Sequence, residues 1–202
     1  MEIKDFYSFG SKLVSSTVQV HENVLNSDKA NNLIRGKYDG ISFPVVFKQE
    51  YGNKLHDILD TGWASLYLIS DKMKAALEEN DLTGWKVFVV KVLDKQDREI
   101  NGYHGLSITG RCGKINYNKS EIVEKRLVPN GPLVKYYKGL HIGLEEWDGT
   151  DFFLPEKTLW IIVTKTAAEA LIKNKLTNIK FENLPEIEMD YYTVQLAQQN
   201  QE

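Results

Sequence analysis

The sequence predicts an α+β fold: a mixed, largely antiparallel sheet carrying a duplicated strand–helix–strand unit. Three observations lead there. Residues 66–87 and 160–181 repeat one pattern at a constant offset of 94 with no gap, so that Ser70 answers to Thr164, Leu77 to Leu171 and Thr83 to Thr177. The segment between the copies is a series of β-prone runs broken by turn pairs. The chain has 202 residues, 42% of them apolar and 26% charged, which suits a globular domain that needs no metal or disulfide staple.

The first 54 residues are the least patterned. Residues 17–24 and 41–47 predict strands, and residues 55–59 one helical turn. Residues 1–54 are therefore expected as an N-terminal segment packed on a core domain of residues 55–194. In the first repeat (66–90), residues 66–69 form a short apolar run suited to a buried strand. Ser70 then stands at an N-cap, where its hydroxyl accepts from a free N–H of the first turn, and Asp71 favours the positive end of the helix dipole. Met73, Ala76 and Leu77 fall at the spacing of one buried stripe. Asn80 is placed for a left-handed C-cap, and Gly84 for a turn with positive φ before a strand at 85–90.

The middle of the chain reads as hairpins. Runs at 87–93 and 103–109 flank the turn pair Asn101-Gly102, and Pro129-Asn130-Gly131 separates runs at 122–128 and 133–142. Asp148-Gly149 marks a further turn. The second repeat (160–184) follows with strand 160–163, cap Thr164, stripe Ala167, Ala170 and Leu171, helix end Asn174, turn Asn178 and strand 179–181. The Gln-rich residues 195–202 are expected to fray. No Pro- or Gly-rich linker divides the chain.

Composition removes several classes of function. A net charge of −3 lacks the basic excess of a nucleic-acid binder. No apolar run approaches the length of a membrane span, and the first residues lack a signal-peptide core. The single cysteine, Cys112, forms no internal disulfide and suits a reducing cytoplasm. The four histidines, His21, His56, His104 and His141, show no metal-ligand spacing. No cofactor is expected.

Three segments carry residues capable of chemistry. Gly105 to Cys112 has the glycine spacing of a phosphate loop, but Arg111 and Cys112 replace the required Lys and Ser or Thr. His104 and Ser107 could form part of a hydrolase site, although Thr109 occupies the second glycine of a nucleophile elbow. Glu145, Glu146, Trp147, Asp148 and Asp151 form an acidic run around one tryptophan. Read as chemistry, these carboxylates are an acid/base set; read as a surface, they are a partner-binding loop with Trp147 as anchor. Charge is uneven along the chain. Residues 111–140 are mainly basic and residues 141–202 mainly acidic, a distribution that suits either a solvated acidic surface or one that steers a basic partner.

Leu55-His56-Asp57-Ile58-Leu59 leads into the first repeat, and Gly149-Thr150-Asp151-Phe152-Phe153 into the second. With the capped helices and their Leu-Thr endings, these segments resemble the immunity-protein family of bacterial polymorphic toxin systems, of the immunity protein 11 type. The resemblance is best over residues 55–93 and 140–184. Asn178 departs from the glycine of that signature and Trp85 from its smaller apolar residue. The resemblance implies a small cytoplasmic antidote that binds a cognate toxin domain and has no chemistry or catalytic residue of its own. A basic toxin, such as a nuclease domain, would suit the acidic segment. An enzyme built on His104, Ser107 or the 145–151 carboxylates, and a regulatory module with another partner, are the alternatives.

Overall fold

The computed structural model describes residues 1–12, 14–22 and 24–199. Its strands are Phe6–Ser11 (β1), Gln19–His21 (β2), Val45–Tyr51 (β3), Ile58–Asp60 (β4), Tyr67–Ser70 (β5), Trp85–Phe88 (β6), Val90–Leu93 (β7), Glu99–Ile100 (β8) and Tyr103–Ile108 (β9). They continue with Gly110–Ile115 (β10), Glu121–Arg126 (β11), Leu133–Lys138 (β12), Ile142–Gly143 (β13), Phe152–Pro155 (β14), Ile162–Thr164 (β15), Ile179–Asn183 (β16) and Glu188–Asp190 (β17). The α-helices are Ser27–Ile34 (α1), Asp71–Glu79 (α2), Lys165–Lys173 (α3) and Tyr191–Gln199 (α4). The fold is α+β with mostly antiparallel pairing.

The strands form three sheets, ordered β6-β9-β5-β4-β2-β3-β7-β8, β13-β10-β14-β15-β1-β16 and β11-β12-β17. The two large sheets match strand for strand over six positions. In the first, β9 lies antiparallel between β5 and β6. In the second, β1 lies antiparallel between β15 and β16. Next to these, β2 runs parallel to β4 and β10 parallel to β14. The chain supplies the two central strands differently. β9 follows the first strand–helix–strand unit after the short strands β7 and β8, whereas β1 reaches the second unit from the opposite end of the chain. The second sheet is therefore complete only when the N-terminal strand has docked.

Both repeat helices begin as the sequence dictates. Ser70 Oγ accepts from Met73 N at 3.1 Å and Thr164 Oγ1 from Ala167 N at 3.2 Å. Met73, Ala76 and Leu77 are buried; full burial of a side chain such as Met73 or Leu77 is worth about 1.5–3 kcal/mol. In α3 the buried set is Ala167, Ala168 and Leu171, so Ala168 takes the place expected for Ala170. The helix ends differ from expectation. Asn80 and Asn174 keep negative φ, and their side-chain amides donate to the carbonyls of Ala76 and Ala170 at 2.8 and 2.9 Å. The left-handed residues are the next ones, Asp81 and Lys175, both at φ 51°. Gly84 and Asn178 have φ of 83° and 63°.

A carboxylate from outside each unit locks it. Asp57 Oδ1 accepts from Ser70 Oγ at 2.7 Å, while Oδ2 accepts from Thr177 N and Oγ1 at 2.7 and 2.8 Å. Asp151, 94 residues later, accepts from Thr164 Oγ1 at 2.8 Å and from Thr83 N and Oγ1, both at 3.0 Å. Each carboxylate thus ties the helix cap of the unit it precedes to the Leu-Thr ending of the other unit. Burial pushes the Asp57 carboxyl up, but the bonds from Ser70 and Thr177 outweigh it and leave its pKa below the ordinary value.

Elsewhere the sequence reading needs correction. Residues 58–60 form β4 rather than a helical turn. The run 87–93 breaks at Val89, because β6 pairs with β9 while β7 joins β3 at the far side of the sheet. The helix α1 occupies a stretch in which the sequence pattern predicts no element; Asn26 Oδ1 caps it by accepting from Lys29 N. Of the expected frayed tail, residues 195–199 end α4, and 200–202 lie outside the described residues.

Candidate functional site

The hairpin of β11 and β12, with β17, stands apart from the matched sheets. It pairs from Glu121↔Lys138 to Arg126↔Leu133. Its sheet contributes Tyr137 and Met189 to a second, smaller core that includes Phe6, Phe153, Leu140 and Leu184. The loop of residues 145–151, which carries the five candidates for partner binding, borders that core through Trp147.

The structure separates the five. Trp147 is half-buried, edge-on to Phe6 at 5.2 Å between centroids and tilted against Phe153 at 5.7 Å. Its indole N–H donates to Thr150 O at 3.1 Å. Asp148 accepts from Arg111 N at 2.7 Å and from Thr150 N and Oγ1 at 3.1 and 2.6 Å, which folds the turn at Gly149. Asp151 is the lock described above. Glu145 and Glu146 project from a 3-10 turn, Leu144–Glu146, into a groove.

That groove, about 780 Å³, is polar. Glu145, Glu146 and Glu156 supply its acids and Lys114 and Lys119 its bases, with Gln195 and Gln198 of α4 also on its wall. These residues come from segments far apart in sequence, and the acidic pair 145–146 is the part of it that the sequence pattern singles out. Cys112 lies close to this loop. Burial, then the charges of Asp148, Glu145 and Glu146, push its thiol up to about 12, which leaves it protonated and unreactive at neutral pH.

The enzymatic candidates do not converge. His104 and Ser107 lie on opposite faces of β9, as an odd spacing in a strand requires. His104 Nε2 meets Asp71 Oδ1 at 2.6 Å on the surface. Ser107 is fully buried, donates to Leu33 O and bonds Tyr38 Oη at 3.1 Å. The glycines that imitate a phosphate loop serve packing: a Cβ on Gly105 would overlap the Phe88 ring, and one on Gly110 the Phe152 carbonyl. Among the described residues no three His, Cys, Asp or Glu side chains gather as a metal site, and no helix is long and apolar enough to cross a membrane.

The matched sheets, the locked caps and the polar groove define an α+β scaffold that presents surface. The chain matches the immunity protein family Imm11 over residues 10–186 and belongs to that family. No curated protein matches it.

Proposed function

We propose that this protein neutralises a cognate bacterial toxin domain by direct protein–protein binding, acting as an antidote in the cytoplasm of the cell that makes it. Family membership across residues 10–186 carries the reading. The groove supports it physically. Glu145 and Glu146 are exposed on a turn whose backbone is fixed by Trp147 and Asp148, so two charges are offered with little ordering cost on binding. Glu145, Glu146 and Glu156 form the acidic rim, and the partner it fits is basic. Trp147, Asp148 and Asp151 then act behind the contact surface by shaping the loop.

The test is co-expression with candidate toxin domains from the surrounding genes. The wild-type chain should restore growth. Glu145→Lys with Glu146→Lys should slow association of the purified pair by about 10-fold at low salt and flatten its salt dependence. Full protection and an unchanged on-rate in the double variant would remove the acidic rim from the interface. Absence of protection by the wild type would remove the toxin reading itself.

A further inference from the structure

We propose that β11 is a self-pairing edge, through which two copies of this chain join antiparallel into one continuous sheet. β11 is the outer strand of its sheet and pairs only with β12 among the described residues. It is six residues long, holds no proline, and five of its six residues are exposed. Its backbone groups on the free side have no ladder partner, which makes it a template for another strand. The apolar side chains on this hairpin are open to solvent: Ile122 is 52% exposed, Leu127 66%, Val128 59% and Leu133 54%.

The charge order selects a second copy as the occupant. A two-fold axis normal to the sheet keeps each face continuous, so residues facing each other across the join must share a face. In the register centred on Val123, Glu121 meets Lys125 of the second copy, Lys125 meets its Glu121, and Val123 meets Val123. Both charge pairs are then attractive. Shifting the centre to Glu124 sets Glu124 against Glu124, and shifting it to Ile122 sets Lys125 against Lys119, so both neighbouring registers carry a like-charge pair. Glu121 has no ion pair among the described residues. Lys125 holds Glu188 across β12 and lies over the Tyr136 ring, so in the joined sheet it exchanges Glu188 for Glu121 of the second copy. The same register sets Ile122 against Glu124 and Leu127 against Lys119, so the apolar contact at the join is Val123 with Val123.

The other open edge of similar length, β16, is a poorer candidate. Its Ile179 is buried, and its Lys180 and Glu182 already satisfy each other at 2.8 Å.

Sedimentation of the purified chain from about 1 to 500 µM reads the proposal without reference to any toxin. The wild type should pass from monomer to dimer. Glu121→Lys alone and Lys125→Glu alone should each weaken the dimer by about 10-fold or more, since both pairs become repulsive. Mixing those two variants should restore it as a heterodimer, because every facing pair of positions 121 and 125 then joins opposite charges. That outcome cannot come from a misfolded chain. Val123→Pro should give a monomer with an unchanged far-ultraviolet spectrum. A wild type that stays monomeric throughout overturns the proposal, as does a dimer indifferent to all three substitutions. If a monomeric wild type loses toxin protection on Val123→Pro, self-pairing is overturned and the edge serves the toxin instead.

Discussion

Replacing Asp57 by Ala removes the acceptor for three donors at once: Ser70 Oγ, Thr177 N and Thr177 Oγ1. Hydrogen bonds to a charged acceptor are worth about 1.5–3 kcal/mol each. Ser70 Oγ still caps Met73 N, and water can reach part of the vacated site, so the three bonds do not add in full. We expect a loss of about 3 kcal/mol at pH 7. For a chain of this size that lowers Tm by roughly 6–12 °C. The sign of the pH dependence follows from the depressed pKa. The contribution is complete above the unfolded carboxyl value of about 3.9 and is lost as pH falls through the lower folded value. Urea unfolding followed by circular dichroism, at pH 7 and at steps below pH 4, reads both effects. The gap between wild type and variant should narrow in acid. A variant as stable as wild type at pH 7, or a difference that persists unchanged in acid, would refute the role of Asp57 as a lock between the units.

Asp151→Ala should act in the same direction by about 1–3 kcal/mol, since it also receives three bonds and lies at the matching position; the midpoint of urea unfolding measures it. Gly105→Ala should cost about 1–3 kcal/mol, because the added methyl overlaps the Phe88 ring inside the sheet, and the same unfolding curve reads it. Asp60→Asn should stabilise the protein by about 1 kcal/mol at pH 7. Burial raises the Asp60 carboxyl above its ordinary pKa, and its Oδ2 has no partner. The gain should vanish as pH falls below the folded value, where the wild-type group is already neutral. The Cys112 thiol, buried and pushed up to about 12, should resist a thiol reagent at pH 8 in the native state and react promptly in urea.

The parts of the fold legible in the sequence are those set by short-range chemistry. Ser70 and Thr164 cap helices because a hydroxyl before an apolar stripe leaves little alternative, and the stripe fixes which face is buried. The matching offset of Asp57 and Asp151 is also in the sequence. That each reaches across to the other unit's threonine is not, because the choice depends on how the two sheets meet, with β1 brought from the N-terminal end to lie between β15 and β16. The helix α1 carries Ala30, Leu33 and Ile34 at helical spacing, but Asn31 and Asn32 between them are weak helix formers and obscure it. Trp147 among charges is compatible with an anchor or a core residue. The neighbouring rings of Phe6 in β1 and Phe153 in β14 decide for packing. The groove draws its walls from β10, the turn after it, the acidic loop and α4, so only its two adjacent glutamates leave a trace in the linear pattern.

Titrating the purified toxin domain with this protein, and following the toxin's own activity, tests the central claim most directly. A binding antidote predicts inhibition that rises linearly and completes at one molecule per toxin, with both chains recovered unaltered in one complex. Complete inhibition at far less than one equivalent would mean turnover, and no inhibition at several equivalents would mean no antidote; either would contradict the account.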